Sequence, residues 1–278
     1  MSAPVSATMI EQDPADSAEP TVRLPIEQVR DGRRTALEDL VVVEQTISIV
    51  INGRAPVRLQ CLPGREVDLA VGFLVTEGLV SLPAQLRAAD FDQAGPQAAV
   101  TADVADGVLD AFERGAGVGS GCGRGIFSSG EMDALECDRK LDMTFGMDAT
   151  TVLDLMREFR DRSGLFEQTG GVHAAGLVWD GRIADFAEDI GRHNAVDKVV
   201  GAAFRVGRDL EHAALLVSGR LSLEMVLKAV RARIPIVISR SAPTAPAVEL
   251  AQRFHVGLAG FARGGRINLY AAAWRIRT

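Results

Sequence analysis

The sequence predicts an α/β layer fold, helices packed on a mixed sheet, joined to a smaller β-rich N-terminal part. Three observations carry this reading. From Asp148 onward, strand and helix patterns alternate in a β-α-β-α-β-β order; Asn-Gly and Asp-Gly dipeptides punctuate the strands; and short β-like runs dominate the first 115 residues. The chain has 278 residues, 47% of them hydrophobic and 24% charged, enough for one large core or two coupled ones.

Residues 1–20 hold Glu11, Asp13, Asp16 and Glu19 with three prolines and no basic residue. Such a segment buries too little apolar surface to offset its ordering entropy and is expected to be a disordered tail. Residues 40–43 and 47–51 read as strands, and Asn52-Gly53 supplies the positive φ angles of a tight hairpin before a strand at 57–62. Leu69, Phe73 and Leu74 recur at helical spacing, which predicts a helix over 65–79 packed on this sheet. Residues 86–115 show only short β-like runs, such as 98–101. Residues 116–130, rich in Gly and Ser with neither period, are expected to form a mobile loop.

Beyond the loop, Val152, Leu155, Met156 and Phe159 mark a helix, and Asp180-Gly181 turns one strand into the next. Val196, Val199, Val200 and Ala203 share a helix face behind Asn194 as N-cap. Strands at 213–217 and 234–239 each lead into a helix, with Ser222 and Thr244 as expected caps, and two strands around 260–266 close the chain. The expected organisation is a tail (1–20), a β-rich N-terminal domain (21–115), a flexible loop carrying Cys122 (116–130) and an α/β domain (131–278).

A net charge of −7 argues against sequence-independent nucleic-acid binding, which depends on neutralising phosphates. Cys61, Cys122 and Cys137 match no disulfide framework, so free thiols in a reducing cytoplasm are expected. The N-terminus lacks a basic n-region, no window is apolar enough for a membrane helix, and acidic Glu38 and Asp39 follow the Arg33-Arg34 pair where an export signal would be apolar.

Three strand-to-helix junctions carry small, hydroxyl and basic residues: Ser218-Gly219-Arg220, Ser239-Arg240-Ser241 and Gly191-Arg192-His193-Asn194. Free N–H groups, a positive dipole end and a nearby Arg suit a phosphate, and several junctions on one sheet edge would make a nucleotide or pyrophosphate site. Taken singly, each is equally well explained by helix capping. Phe261-Ala262-Arg263-Gly264-Gly265-Arg266 could clamp a phosphate between two guanidinium groups, although by itself it reads more simply as a hairpin with solvated arginines. Cys122 lies between glycines with Arg124 two residues on, a setting for a reactive thiolate as much as for a bystander. Cys61 suits a core thiol and Cys137 a surface thiol. His173 and His193 sit in informative contexts without a fixed role. The sequence argues against zinc deamination: His173 is followed by two alanines instead of a proton-shuttling Glu, and no cysteine follows Cys137.

Taken in order, Gly72-Phe73-Leu74-Val75-Thr76-Glu77-Gly78, the Cys122 loop, residues 169–174 and 188–198, Ser218-Gly219-Arg220, Ser241-Ala242-Pro243-Thr244 and the 261–266 segment resemble the FdhD family of formate dehydrogenase accessory sulfurtransferases. The resemblance spans roughly residues 38–272. It implies a cytidine-deaminase-like layered fold without the hydrolytic metal. It also implies that sulfur is accepted from a cysteine desulfurase and passed to molybdenum or tungsten bis-molybdopterin guanine dinucleotide, the cofactor of formate dehydrogenase. By this similarity Cys122 is the persulfide carrier, Phe261, Ala262, Arg263, Gly264, Gly265 and Arg266 bind the cofactor's nucleotide end, the other motif residues line the same cleft, and the protein is a homodimer with no metal of its own.

One departure bears on chemistry. The family's loop usually holds two cysteines three apart, and here Gly125 stands at the second position. A loop with one thiol cannot expel sulfide by closing its own disulfide. Sulfur then leaves by direct attack on the metal centre, with an external thiol, or with Cys122 of the partner subunit. A cofactor-binding chaperone that carries no sulfur is the competing reading. A nucleotidyltransferase or hydrolase is weaker, because no paired carboxylates stand near a Gly-rich turn to hold magnesium.

Overall fold

The computed structural model describes residues 19–115, 141 and 143–278. The expected tail, the Cys122 loop and Cys137 lie outside the described residues, apart from Glu19 and Pro20, which are exposed.

The N-terminal part opens with a ribbon, β1 (Thr21–Arg30) and β2 (Arg33–Val42), paired antiparallel along its whole length and turned by Asp31-Gly32, both at positive φ. Sequence reasoning placed the first strand only at residue 40. Next come β3 (Gln45–Ile51) and β4 (Val57–Cys61), joined at Asn52-Gly53 as expected, with φ of 49° and 72°. Two strands in the stretch of short β-like runs, β5 (Leu86–Asp92) and β6 (Gln97–Ala102), the second containing the expected run 98–101, complete a four-stranded sheet of order β4-β3-β6-β5. A helix, α2 (Asp106–Gly115), follows.

The C-terminal part is a six-stranded mixed sheet of order β13-β12-β11-β10-β8-β9. Its strands are β8 (His173–Trp179), β9 (Arg182–Asp189), β10 (Ala213–Val217), β11 (Ile236–Ser239), β12 (Gly257–Arg263) and β13 (Arg266–Ala271). β10, β11 and β12 are parallel, and the other pairings are antiparallel. Along β10 the side chains alternate between two cores. Ala213, Leu215 and Val217 face one and Ala214 and Leu216 the other, as a strand buried on both sides requires. One face is covered by α3 (Ala149–Asp161) through Val152, Leu155, Met156 and Phe159. The other carries α5 (Arg192–Arg205), α6 (Leu223–Arg231) and α7 (Ala245–Arg253). A short α4 (Gly164–Thr169) precedes β8, and β7 (Met147–Asp148) pairs with the terminal β14 (Ile276–Arg277).

Helix α1 (Glu66–Thr76) joins the two parts. It touches β5 and β6, as expected, but its most extensive contact is with α5. Glycines permit that approach: a β-carbon at Gly72 would overlap the Asp197 carbonyl oxygen, and one at Gly201 would overlap that of Asp68. Apolar residues of both sheets, from Ile47 and Ile49 to Leu215 and Leu258, thereby share one core.

Buried charge crosses the same region. Lys228 Nζ donates to both Asp197 carboxylate oxygens, at 2.8 and 2.9 Å, and to Thr76 Oγ1 at 2.8 Å. The 72–78 motif therefore builds a helix interface. It does not line the cleft where the resemblance placed it, because its small and hydroxyl residues are consumed by α5 and α6.

Capping also departs from expectation. Gly191, not Asn194, is the N-cap of α5; Asn194 lies in the first turn and spends its amide on Gln60 O and Asp189 Oδ1. Ser222 and Thr244 do occupy N-cap positions, but neither side chain accepts a capping hydrogen bond. No helix among the described residues is long and apolar enough to cross a membrane.

Candidate functional site

Because β10, β11 and β12 run parallel, the turns that leave them share one edge of the sheet, and the antiparallel β8 and β9 bring His173 and Asp189 to the same edge. Ligands of open α/β sheets bind at such carboxyl ends. All three strand-to-helix junctions and the 261–266 hairpin meet here.

Hydrogen bonds link them in series. Ala174 N–H donates to Ser218 Oγ at 2.9 Å, and that hydroxyl lies 3.4 Å from His173 Nδ1. Ser239 Oγ donates to Gly219 O at 2.6 Å and accepts from Ser241 N–H at 2.9 Å. Phe261 N–H in turn donates to Ser241 O at 3.1 Å. Gly219 lies against Arg192 and His173: a β-carbon there would stand 3.2 Å from Arg192 Cδ and 3.5 Å from His173 Nδ1.

Three polar atoms at this edge are buried without a hydrogen-bond partner among the described residues: Arg192 Nε, His193 Nε2 and Ser222 Oγ. His193 Nε2 comes within 3.2 Å of Glu224 Oε2, but the alignment makes no hydrogen bond. His193 is only 8% exposed. Burial, then Lys228, Arg192 and His173, push its pKa down to about 3. Burial and the guanidinium groups of Arg192 and Arg220 also lower that of His173. Both imidazoles are therefore neutral near pH 7, each with one ring nitrogen that donates and one that accepts. Buried polar atoms left unpaired are costly, and their clustering marks a place where a ligand or water completes the bonding.

The arginines agree with this. Arg192, Arg220, Arg240, Arg263 and Arg266 form no salt bridge among the described residues, while Arg54, Arg65, Arg205 and Arg231 are all paired with carboxylates. The edge thus concentrates uncompensated positive charge in a chain of net charge −7.

Within the 261–266 segment, Gly264 and Gly265 have φ of 60° and 76° and turn β12 into β13, so a two-residue hairpin accounts for both glycines. Arg263 and Arg266 are exposed, and the Arg266 guanidinium lies 5.4 Å from the centre of the Phe261 ring. Phe261 itself holds a positive φ of 51°, which is rare for an aromatic residue. Ala262 is buried in the core facing α3.

Other motif residues are structural. Glu188 accepts from the Leu165 and Phe166 amides at the start of α4, and Thr169 Oγ1 donates to Leu165 O. Cys61 is fully buried with its thiol pKa pushed up to about 12, chiefly by burial, as suits a core thiol. Sequence reasoning missed Glu224 at this edge and treated Ser222 only as a cap; the Ser222-Leu223-Glu224 opening of α6 was the available signal.

Comparison with known proteins places this geometry. The model of the FdhD/NarQ family matches residues 42–277. The sulfur carrier protein FdhD of Wolinella succinogenes is 38% identical over 256 residues, covering 91% of this chain and 88% of that protein. Those of Streptomyces coelicolor and Listeria monocytogenes are 35% and 33% identical, covering 92% and 90% of this chain and 95% and 97% of theirs. A candidate formate dehydrogenase accessory protein of Desulfotalea psychrophila superposes with a TM-score of 0.75 at 28% identity, over 93% of this chain and all of its own. With the family model spanning nearly the whole chain and relatives this similar along its length, the chain belongs to the FdhD/NarQ family.

Proposed function

We propose that this protein is a cytoplasmic sulfur carrier that receives sulfur from a cysteine desulfurase as a persulfide on Cys122. It delivers that sulfur to the molybdenum or tungsten bis-molybdopterin guanine dinucleotide of formate dehydrogenase. The cofactor is cargo, held at the sheet edge with its phosphates on the Arg192, Ser218 and Ser241 junctions and its nucleotide end on Phe261, Arg263, Gly264, Gly265 and Arg266; Ala262 of that segment is not among them, because its side chain is buried in the core facing α3. The curated relatives' name, sulfur carrier protein FdhD, and the structural neighbour's formate dehydrogenase association support the activity. In this reading the layering is cytidine-deaminase-like and the working form a homodimer.

The observation that carries the cofactor assignment is the convergence of arginines without carboxylate partners on an edge that also holds unpaired buried donors. A phosphate or pyrophosphate satisfies both, through charge-assisted bonds from guanidinium groups and hydroxyls. The sulfur steps need no metal of the protein's own. Thiolate attack by Cys122 on a desulfurase persulfide moves one sulfane sulfur and frees the desulfurase thiolate. With Gly125 where a second loop cysteine would be, an incoming thiol attacks the Cys122 sulfur, forms a mixed disulfide and releases hydrosulfide toward the metal.

Copurification tests the cargo assignment. Protein isolated from molybdate-replete cells should retain a pterin guanine dinucleotide, and an Arg263→Ala/Arg266→Ala variant should lose it. Retention by the variant equal to that of the parent would remove the 261–266 segment from the site.

A further inference from the structure

The dipeptide Arg192-His193 supplies two of the unpartnered atoms at the sheet edge, Arg192 Nε and His193 Nε2, so no hydrogen bond fixes these side chains at those atoms. They are held at their roots. Asp189, the last residue of β9 and 0% exposed, accepts Gly191 N–H and Asn194 Nδ2–H on Oδ1, each at 2.9 Å. These two bonds bracket residues 192 and 193. Its Oδ2 accepts Leu62 N–H at 3.1 Å and pairs with Lys198 Nζ at 2.8 Å, while Lys198 also donates to Leu62 O at 2.9 Å. Asn194 Nδ2 reaches Gln60 O at 2.7 Å. One carboxylate therefore ties the end of β4, the end of β9 and the first turns of α5 together.

Stability does not account for placing a charge pair there. Desolvating both ions cancels most of their attraction, and apolar side chains of similar volume commonly serve as well. What a saturated, directional junction provides and an apolar contact does not is a fixed backbone path. Gly191 fits this role, since a β-carbon there would stand 3.0 Å from Asn194 Nδ2.

We propose that the buried Asp189–Lys198 pair is a positioning device that holds Arg192 and His193 in register at the anion-binding edge. The functional part of this inference rests on the phosphate reading of that edge.

The test uses the full-length Asp189→Leu/Lys198→Met variant, which removes both charges and the two acceptor oxygens that bracket residues 192 and 193, with modest change in volume. Three readouts are compared with the parent: melting temperature, guanosine diphosphate affinity by calorimetry, and the titration midpoint of the His193 ring by NMR. The expected result is a melting temperature within a few degrees, a loss of at least tenfold in affinity, and a His193 midpoint raised by a unit or more as the ring gains solvent. An unchanged His193 midpoint with unchanged affinity overturns the proposal and leaves the pair a purely structural element. If the parent protein itself does not bind guanosine diphosphate, the phosphate reading fails, and the His193 midpoint alone decides the positioning role. If the double variant does not fold, Asn194→Ala, which removes one bracket and leaves the ion pair, is judged on the same readouts.

Discussion

Gly72 of α1 meets the backbone of Asp197 in α5 so closely that a β-carbon at position 72 would overlap the Asp197 carbonyl oxygen. Both segments are helical there, so neither can yield locally. Gly72→Ala should force the helices apart, disturb the Thr76–Asp197–Lys228 junction between them and destabilise the protein by about 3 kcal/mol or more. Urea denaturation of the two proteins measures this, and an unchanged midpoint would show that the interface is looser than described.

The exposed arginines of the β12–β13 hairpin give a second prediction. Arg263→Ala and Arg266→Ala should each weaken guanosine diphosphate binding by about 1.5–3 kcal/mol, the worth of a hydrogen bond to a charged group. Added salt should weaken binding further. Unchanged affinity in both variants would confine the phosphates to the Arg192, Ser218 and Ser241 junctions.

His193 predicts a pH dependence. Its pKa is about 3 in the folded protein, against an ordinary imidazole value near 6.5, so between these values the unfolded chain binds a proton that the folded chain does not. Stability from this residue is complete above pH 6.5 and is lost as pH falls toward 3, by at most about 1.4 kcal/mol per pH unit. His193→Gln should flatten the stability profile between pH 6.5 and 5, where few carboxylates titrate. An identical slope in the variant would mean that the ring is solvated in the folded state.

Cys61 should be inert while the protein is folded, because only the thiolate reacts and burial holds its pKa near 12. Iodoacetamide followed by peptide mapping should leave Cys61 unmodified in native protein and modify it in urea. Native labelling would place this thiol among the sulfur-carrying candidates.

Much of this fold was legible in local signals. Asn52-Gly53 and Asp180-Gly181 specify their turns through backbone conformations that few other dipeptides adopt, and the apolar spacing from Val152 to Phe159 marks a helix face that does enter the core. The β1–β2 ribbon escaped because it lacks the buried face on which strand recognition depends; only Asp31-Gly32 could have exposed it. Asn194 was misread as a cap because its actual partners, Gln60 and Asp189, are chosen by tertiary contact. At the site, each basic junction was visible alone and equally consistent with capping. Their convergence on one edge follows from the parallel order of β10, β11 and β12, which no single segment encodes.

The central claim is that sulfur travels on Cys122, and intact-mass spectrometry after incubation with a cysteine desulfurase and cysteine tests it most directly. The assignment rests on sequence setting, glycines on either side of Cys122 and Arg124 two residues on, and on the fact that a serine hydroxyl cannot hold a sulfane atom. The account predicts a gain of one sulfur atom mapping to Cys122, removable by reductant, retained in Cys61→Ser and Cys137→Ser and absent from Cys122→Ser, which should also fail to mature formate dehydrogenase in cells lacking their own accessory protein. A Cys122→Ser protein that still matures active enzyme, or sulfur that maps to another residue, would contradict the carrier mechanism and leave a cofactor-binding chaperone as the better description.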